Sequence, residues 1–396
     1  MKLRRVLGWI ALAIPLAAIL ALAVGYWLSD NDCGKAAVPR VPTKAITYCD
    51  YGTADVLRLE DVEKPVPGDN ELLVRVHAAG VNPLDWHYMR GQPYFMRLFS
   101  GIGKPKVERF GVDFAGTVEA VGADVTLFRV GDPVFGGRSG ALAEYVAVRA
   151  DRALALKPEN ITFAEAAAVP VAAITALQAL RDKGAVRPGQ KVLVNGASGG
   201  VGTFAVQIAK TFGAEVTGVT STGNVDLVRA IGADHVIDYT RDDFTKGTAR
   251  YDLILDNVGN HSMAQTRRVL TPTGMLISNG GGHVGGKLGR TLRTMLVSMV
   301  VRQQARPSVK TQNHYDLVAL KELVEAGHIT PVIDGTYPLG ETPKAIARVA
   351  SGRARGTIVI AVLAGARPAV GSDDTQPQVG SRTPAMEDSV RQAVAS

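Results

Sequence analysis

Cysteine is nearly absent from this chain of 396 residues. Its two copies, Cys33 and Cys49, allow at most one disulfide, and they rule out a four-cysteine zinc site or an all-thiolate iron–sulfur centre. Also missing is any basic run interleaved with aromatics, the footprint of a nucleic-acid binder, so no nucleic-acid partner is expected. The formal charge is a mild +7, from 44 Lys+Arg against 37 Asp+Glu, and the first 40 residues hold part of it. Low hydrophobicity is absent too. With 46% apolar residues the chain is no disordered protein, and its length suits two or three domains at ~150 residues each. Glycine, by contrast, is abundant at 43 copies, so tight turns and close backbone approaches are expected.

Charge disappears altogether over residues 6–28, just after Lys2, Arg4 and Arg5. As a helix this stretch would reach about 34 Å, enough to cross a hydrocarbon core, and Trp9, Tyr26 and Trp27 stand near its ends, where interfacial rings belong. Residues 1–28 are therefore read as a transmembrane anchor that makes membrane lipid a partner. A cleaved secretory signal is the alternative, but its apolar core is usually only ~7–15 residues. The basic residues before the span place the N-terminus in the cytoplasm. The chemistry of the body favours the reverse, a single-pass membrane protein with a cytoplasm-facing body.

Residues 29–42 read as a linker and residues 363–396 as a disordered tail without apolar period. Short apolar runs at 72–76, 116–121 and 132–135, punctuated by glycine and proline, predict a β-rich domain. Beyond Thr162 the rhythm changes. An alanine-rich helix is predicted over 163–180, followed by strands at 191–195, 215–219, 234–237, 252–256 and 275–278 with helix-length segments between them. That alternation is the mark of a doubly wound parallel sheet, so the fold class is α/β. Residues 285–315 carry six basic and no acidic residues, with Leu288, Leu292, Met295 and Met299 at helical spacing. They read as a packed helix or a dimer face rather than a bilayer contact.

The sharpest motif follows the strand at 191–195. Gly196-Ala197-Ser198-Gly199-Gly200-Val201-Gly202 leads from it into an amphipathic helix. Glycine there permits a tight turn and lets backbone N–H groups at a helix N-terminus approach a pyrophosphate, so the motif predicts dinucleotide binding. In NAD-preferring sheets an Asp or Glu ends the second strand and takes the ribose 2′-OH. Here that strand runs into Thr220-Ser221-Thr222, which removes repulsion from a 2′-phosphate and makes NADPH the expected cofactor.

With these elements in place, the chain resembles the medium-chain dehydrogenase/reductase superfamily and, within it, the zinc-independent quinone oxidoreductase branch that includes zeta-crystallin. The resemblance is carried by residues 79–85 (Ala-Gly-Val-Asn-Pro-Leu-Asp), 110–122, 129–134, 166–170, 175–178, 195–202 and 231–239. It implies a GroES-like domain at 43–165 completed by 331–362, a Rossmann NADPH-binding domain at 166–330, and a cleft between them. Where the family's zinc alcohol dehydrogenases place a cysteine ligand this chain has Asn82, and where they have Gly-His-Glu it has Gly111-Val112-Asp113. No metal is expected. Without zinc to polarise an alcohol, reduction of a quinone or an α,β-unsaturated carbonyl is favoured. By motif position the resemblance implies Asn82, Asp85, His87 and Thr175 as candidate catalytic residues. It implies Ser221, Tyr239 and Arg353 for the 2′-phosphate, and Asn257, Val258 and Gly280 along the nicotinamide edge. It further implies a homodimer. Two rival functions are a membrane-tethered, nucleotide-binding scaffold without turnover and an alcohol dehydrogenase.

Overall fold

The computed structural model describes residues 23–25, 33, 38–279, 304–307 and 311–363. Among the described residues no helix is long and apolar enough to cross a membrane. Of the expected span only residues 23–25 are described, as one short helical stretch. The expectation of a single-pass membrane protein is corrected on this finding. Its cytoplasm-facing body also meets a contrary observation, because Cys33 and Cys49 are joined in a disulfide, a bond that persists mainly in oxidising compartments. Gly280, the basic stretch at 285–303 and the tail from 364 lie outside the described residues.

Two strands, β1 (Pro42–Thr47) and β2 (Arg58–Glu63), form an antiparallel pair. A seven-stranded sheet follows, built from β3 (Glu71–Val81), β4 (Asp113–Val121), β5 (Pro133–Gly137), β6 (Tyr145–Arg149) and β7 (Leu154–Leu156), with β14 (Ile333–Pro338) and β15 (Thr357–Ala361) from the far end of the chain. The long β3 lies between β15 and β4 and also pairs β6, all antiparallel. Its inward residues Leu72, Val74 and Val76 pack with Phe114, Val118 and Val134, as alternation in a half-buried strand requires.

A six-stranded sheet runs in the order β10 (His235–Asp238), β9 (Glu215–Thr220), β8 (Lys191–Asn195), β11 (Tyr251–Asp256), β12 (Leu270–Ser278) and β13 (Gln304–Pro307). Every pairing in it is parallel. Counted from β8 the order is 3-2-1-4-5-6, so the chain reverses direction across the sheet between β8 and β11. Ligands bind at such a switch point, beyond the C-terminal ends of the strands.

The alanine-rich stretch was expected as one helix but divides into a turn of helix at Phe163–Ala167, a helix α1 at Pro170–Leu177 and a wider π-helical turn at Gln178–Lys183. Pro170 causes the break, since it has no N–H to continue the ladder and is suited to the first position of the next helix. All eight residues of α1 are buried. Its small side chains let it lie in the largest core cluster, which joins Ala78 and Ala115 of the seven-stranded sheet to Val192 and Val194 of the six-stranded one.

Candidate active site

The phosphate turn is shaped by backbone geometry that only glycine tolerates. Gly196 has φ +78°, and a Cβ on Gly202 would stand 2.0 Å from the Gly196 carbonyl oxygen. The turn is pinned by N–H groups of Gly196 and Ala197, both donating to the carbonyl of Val219 at 3.1 and 3.0 Å. Helix α2 (Gly200–Thr211) then starts with Gly199 as its extended N-cap. Its first N–H groups have no acceptors within the helix and face the end of the turn, as an anion site needs.

At the end of β9 the hydroxyls form a network. Thr220 Oγ1 donates to Ser198 Oγ at 2.8 Å, and Asn224 Nδ2 reaches Ser198 Oγ and Ser221 Oγ, each at 3.2 Å. Tyr239 is exposed, and its N–H donates to the Thr220 carbonyl. Arg353 sits in the loop before β15, which returns to the phosphate turn where the Gly356 N–H donates to the Ser198 carbonyl at 2.8 Å. Sequence reasoning missed a carboxylate here. Asp238 ends the neighbouring strand in register with Thr220 and accepts from Thr222 Oγ1 at 2.6 Å and Thr240 Oγ1 at 2.7 Å. The Thr222 hydroxyl, the Thr240 groups and Arg241 hold it below the usual carboxylate range. Strand register was the signal, since β10 sets Asp238 beside the end of β9, which itself carries no acid.

Between β8 and β11, Asp256 gathers the strand ends. Its Oδ1 accepts from Asn195 Nδ2, Val258 N and Gly259 N at 2.9, 3.2 and 2.8 Å. Val258 overhangs the turn, its Cγ2 being 2.9 Å from where a Cβ on Gly196 would sit. Asn257 Oδ1 accepts from Asn279 Nδ2 at 2.9 Å, whereas its Nδ2 is buried with no hydrogen-bond partner among the described residues. A buried donor left open beside a glycine turn fits a nicotinamide dinucleotide, whose carboxamide or ribose oxygens would satisfy it.

A second group of candidate residues lies at the junction of β3 with helix α3 (Pro83–Arg90). Asn82 is the N-cap and only 4% exposed; its Nδ2 donates to Asp113 Oδ2 at 2.9 Å. The same oxygen accepts from the N–H of Val171 in the first turn of α1, also at 2.9 Å. Thr175, one turn further along α1, donates its hydroxyl to the Val171 carbonyl at 2.6 Å. The structure thus brings Asn82, Asp113 and the Thr175 helix together.

Asp85 is fully buried, and its Oδ2 accepts from the Asn82 N–H at 2.7 Å, the reciprocal half of a capping box. His87, two residues on, lies against the Trp86 ring at 4.9 Å. The buried phenol of Tyr48, which sequence reasoning did not single out, is pushed far above its ordinary range by burial and then by Tyr51, Tyr88 and Asp85. It stays a neutral donor. Among the described residues no group of three or more His, Cys, Asp or Glu side chains is placed to hold a metal.

This geometry has counterparts in known proteins. Residues 68–159 match the family described as alcohol dehydrogenase GroES-like domain, and residues 231–360 the family described as zinc-binding dehydrogenase. The chain is 34% identical to the 2-methylene-furan-3-one reductase of Solanum lycopersicum over 332 residues, covering 80% of this chain and 78% of that protein. It is 32% identical to the chloroplastic NADPH-dependent alkenal/one oxidoreductase of Arabidopsis thaliana, covering 83% and 82%. The solved quinone oxidoreductase of Coxiella burnetii superposes with a TM-score of 0.72 at 30% identity, over 81% of this chain and 100% of that one.

Fold and sequence likeness together define a medium-chain dehydrogenase/reductase, and the chain belongs to that superfamily. Within it the chain falls in the quinone oxidoreductase branch. It is an NAD(P)H-dependent oxidoreductase.

Proposed function

We propose that this protein reduces a quinone or an α,β-unsaturated carbonyl with NADPH. The observation that carries the reading is the Asn82 carboxamide, held by Asp113 at the junction of β3 with α3. An uncharged amide can hydrogen-bond to bound ligands and hold them in place, but it is a poor metal ligand and a negligible base, so it gives no help in deprotonating an alcohol. The names of the tomato, Arabidopsis and Coxiella relatives point the same way.

When bound, NADPH supplies the hydride. The residues we assign to holding it are the turn at 196–202, Ser221, Tyr239 and Arg353 for its phosphates, and Asn257 and Val258 beside the nicotinamide. The hydroxyls of Thr220, Ser221 and Thr222 support the 2′-phosphate, while Asp238 is turned to Thr222, Thr240 and Arg241. Asn82 and Thr175 line the acceptor side and exclude water from it. Asp85 sets the N-terminus of α3 and thereby the angle at which Asn82 enters the cleft. Protonation of the reduced acceptor is assigned to His87 or to solvent. Self-association as a homodimer, with the division into 43–165 plus 331–362 and 166–330, belongs to the same proposal.

The test is oxidation of NADPH by the purified protein with a panel of quinones and enones, beside reduction of NADP+ with alcohols. Turnover of quinones or enones but not of alcohols is expected. Alcohol oxidation, or no turnover with any acceptor, would sink the reading.

A further inference from the structure

Asp113 opens β4, is 0% exposed, and lies 31 positions from Asn82 and 58 from Val171. One of its oxygens nevertheless takes hydrogen bonds from both, joining the β3–α3 junction, β4 and helix α1. Shape alone does not call for a carboxylate at this point. A buried charge is costly to desolvate, and an apolar residue of similar volume would fill the space between strand and helix more cheaply.

What the carboxylate does is chemical. A carboxamide has two ends of nearly equal shape, and packing alone distinguishes them weakly. Asp113 Oδ2 already accepts the Val171 N–H, so it meets the Asn82 amide as an acceptor, and that amide turns its NH2 toward Asp113 and its oxygen away. The bond to a charged acceptor is about twice as strong as a neutral one. The second bond, from Val171 at the N-terminus of α1, is favoured by the helix dipole and ties that orientation to the helix carrying Thr175.

We propose that Asp113 is a positioning residue for the reduction, acting through Asn82 by fixing which end of its carboxamide meets the bound ligands and by coupling it to α1. The proposal rests on the reading of Asn82 as a cleft residue. It adds no proton transfer and no contact between Asp113 and the acceptor.

The experiment compares Asp113→Asn, Asp113→Glu, Asn82→Ala and the double variant Asn82→Ala/Asp113→Asn in the full chain. Rates are divided by the amount of tightly bound NADPH, so that any unfolded fraction drops out. Replacing the acceptor-only carboxylate by an amide weakens the bond and lets the Asn82 amide flip, and at up to the value of one charge-assisted hydrogen bond this predicts that kcat with a quinone falls about 10- to 100-fold in Asp113→Asn. The NADPH Kd is expected to stay within about twofold, because the orienting bond is remote from the phosphates. Asp113→Glu, which keeps the charge but displaces it, should also be slow. The double variant should be no slower than Asn82→Ala, since both changes remove the same interaction. Wild-type kcat in Asp113→Asn, or losses that multiply in the double variant, overturns the proposal. Undiminished kcat in Asn82→Ala instead overturns the reading of Asn82 itself.

Discussion

The hydroxyl of Thr220 donates to the hydroxyl of Ser198 at 2.8 Å, linking the end of the second strand of the nucleotide sheet to the turn after the first. The two segments we assign to the adenosine ribose and the pyrophosphate of a dinucleotide are thereby held in one hydrogen-bonded unit with Asn224 as the third member.

Placing a carboxylate in that unit should reverse cofactor choice. Ser221→Asp sets a charge against a 2′-phosphate and offers an acceptor to a 2′-hydroxyl, so the ratio of kcat/KM for NADPH over NADH should fall at least about tenfold. Steady-state kinetics with both cofactors check it, and an unchanged ratio removes Ser221 from the site.

Gly202→Ala forces a methyl into a space where the Gly196 carbonyl is 2.0 Å away. Either the turn or the first turn of α2 must move. NADPH affinity should drop by about 10-fold or more, with a stability loss of about 1–3 kcal/mol from overpacking. Fluorescence titration and thermal melts measure the two effects separately. Full affinity in this variant would falsify the role given to the turn.

Acid should weaken the protein partly through Asp334. Burial pushes its carboxyl up, but the Arg348 fork at 2.8 and 2.9 Å, the Arg355 N–H and the charges of both arginines outweigh it, and the net shift is downward. A carboxylate held low contributes stability that is fully present above its unfolded value and is lost as pH falls through the folded one. Melting temperatures should therefore decline below about pH 4. Asp334→Asn should be less stable at neutral pH and show a shallower acid decline; parallel curves would exclude the ion pair as the cause.

Phe204 is 1% exposed on the inner face of α2. Truncation in Phe204→Ala leaves a cavity and should cost about 3–5 kcal/mol in chemical denaturation. Saturating NADPH at about 100-fold its Kd should return about 2.7 kcal/mol, because the ligand binds only the folded state. A variant that NADPH does not stabilise would show that α2 no longer presents its N-terminus.

Much of this was legible before any coordinates. The strand at 191–195 carries the continuous apolar run Val192-Leu193-Val194, as a parallel strand buried on both faces must, and it matched β8 residue for residue. The glycines after it are constrained by local sterics, which a sequence carries directly. The break before Pro170 was written in the proline, but alanine propensity hid it. Less was legible where partners are distant in sequence. Asp113 could be identified within the Gly111-Val112-Asp113 triplet that stands where zinc alcohol dehydrogenases have Gly-His-Glu, yet nothing local shows that Asn82 and Val171 converge on it. Asp238 was hidden because the rule for cofactor choice looks to the end of β9, whereas register brought in the end of β10. The disulfide was permitted by the cysteine count but its formation was not, because pairing depends on where the chain returns in space.

The pairing of β15 with β3 also governs how this protein is made. Ile358 lies opposite Val81, and between them the ribosome must synthesise the whole nucleotide sheet. At about 5–20 residues per second, one edge of β3 waits on the order of 15–55 s for its partner. For that interval the stretch of β3 that β6 leaves uncovered, Ala78–Val81, offers unpaired N–H and carbonyl groups to any neighbour. A chain that stalls or is clipped before residue 357 carries this open edge permanently. Its expected fate is aggregation or capture by chaperones rather than a smaller working enzyme.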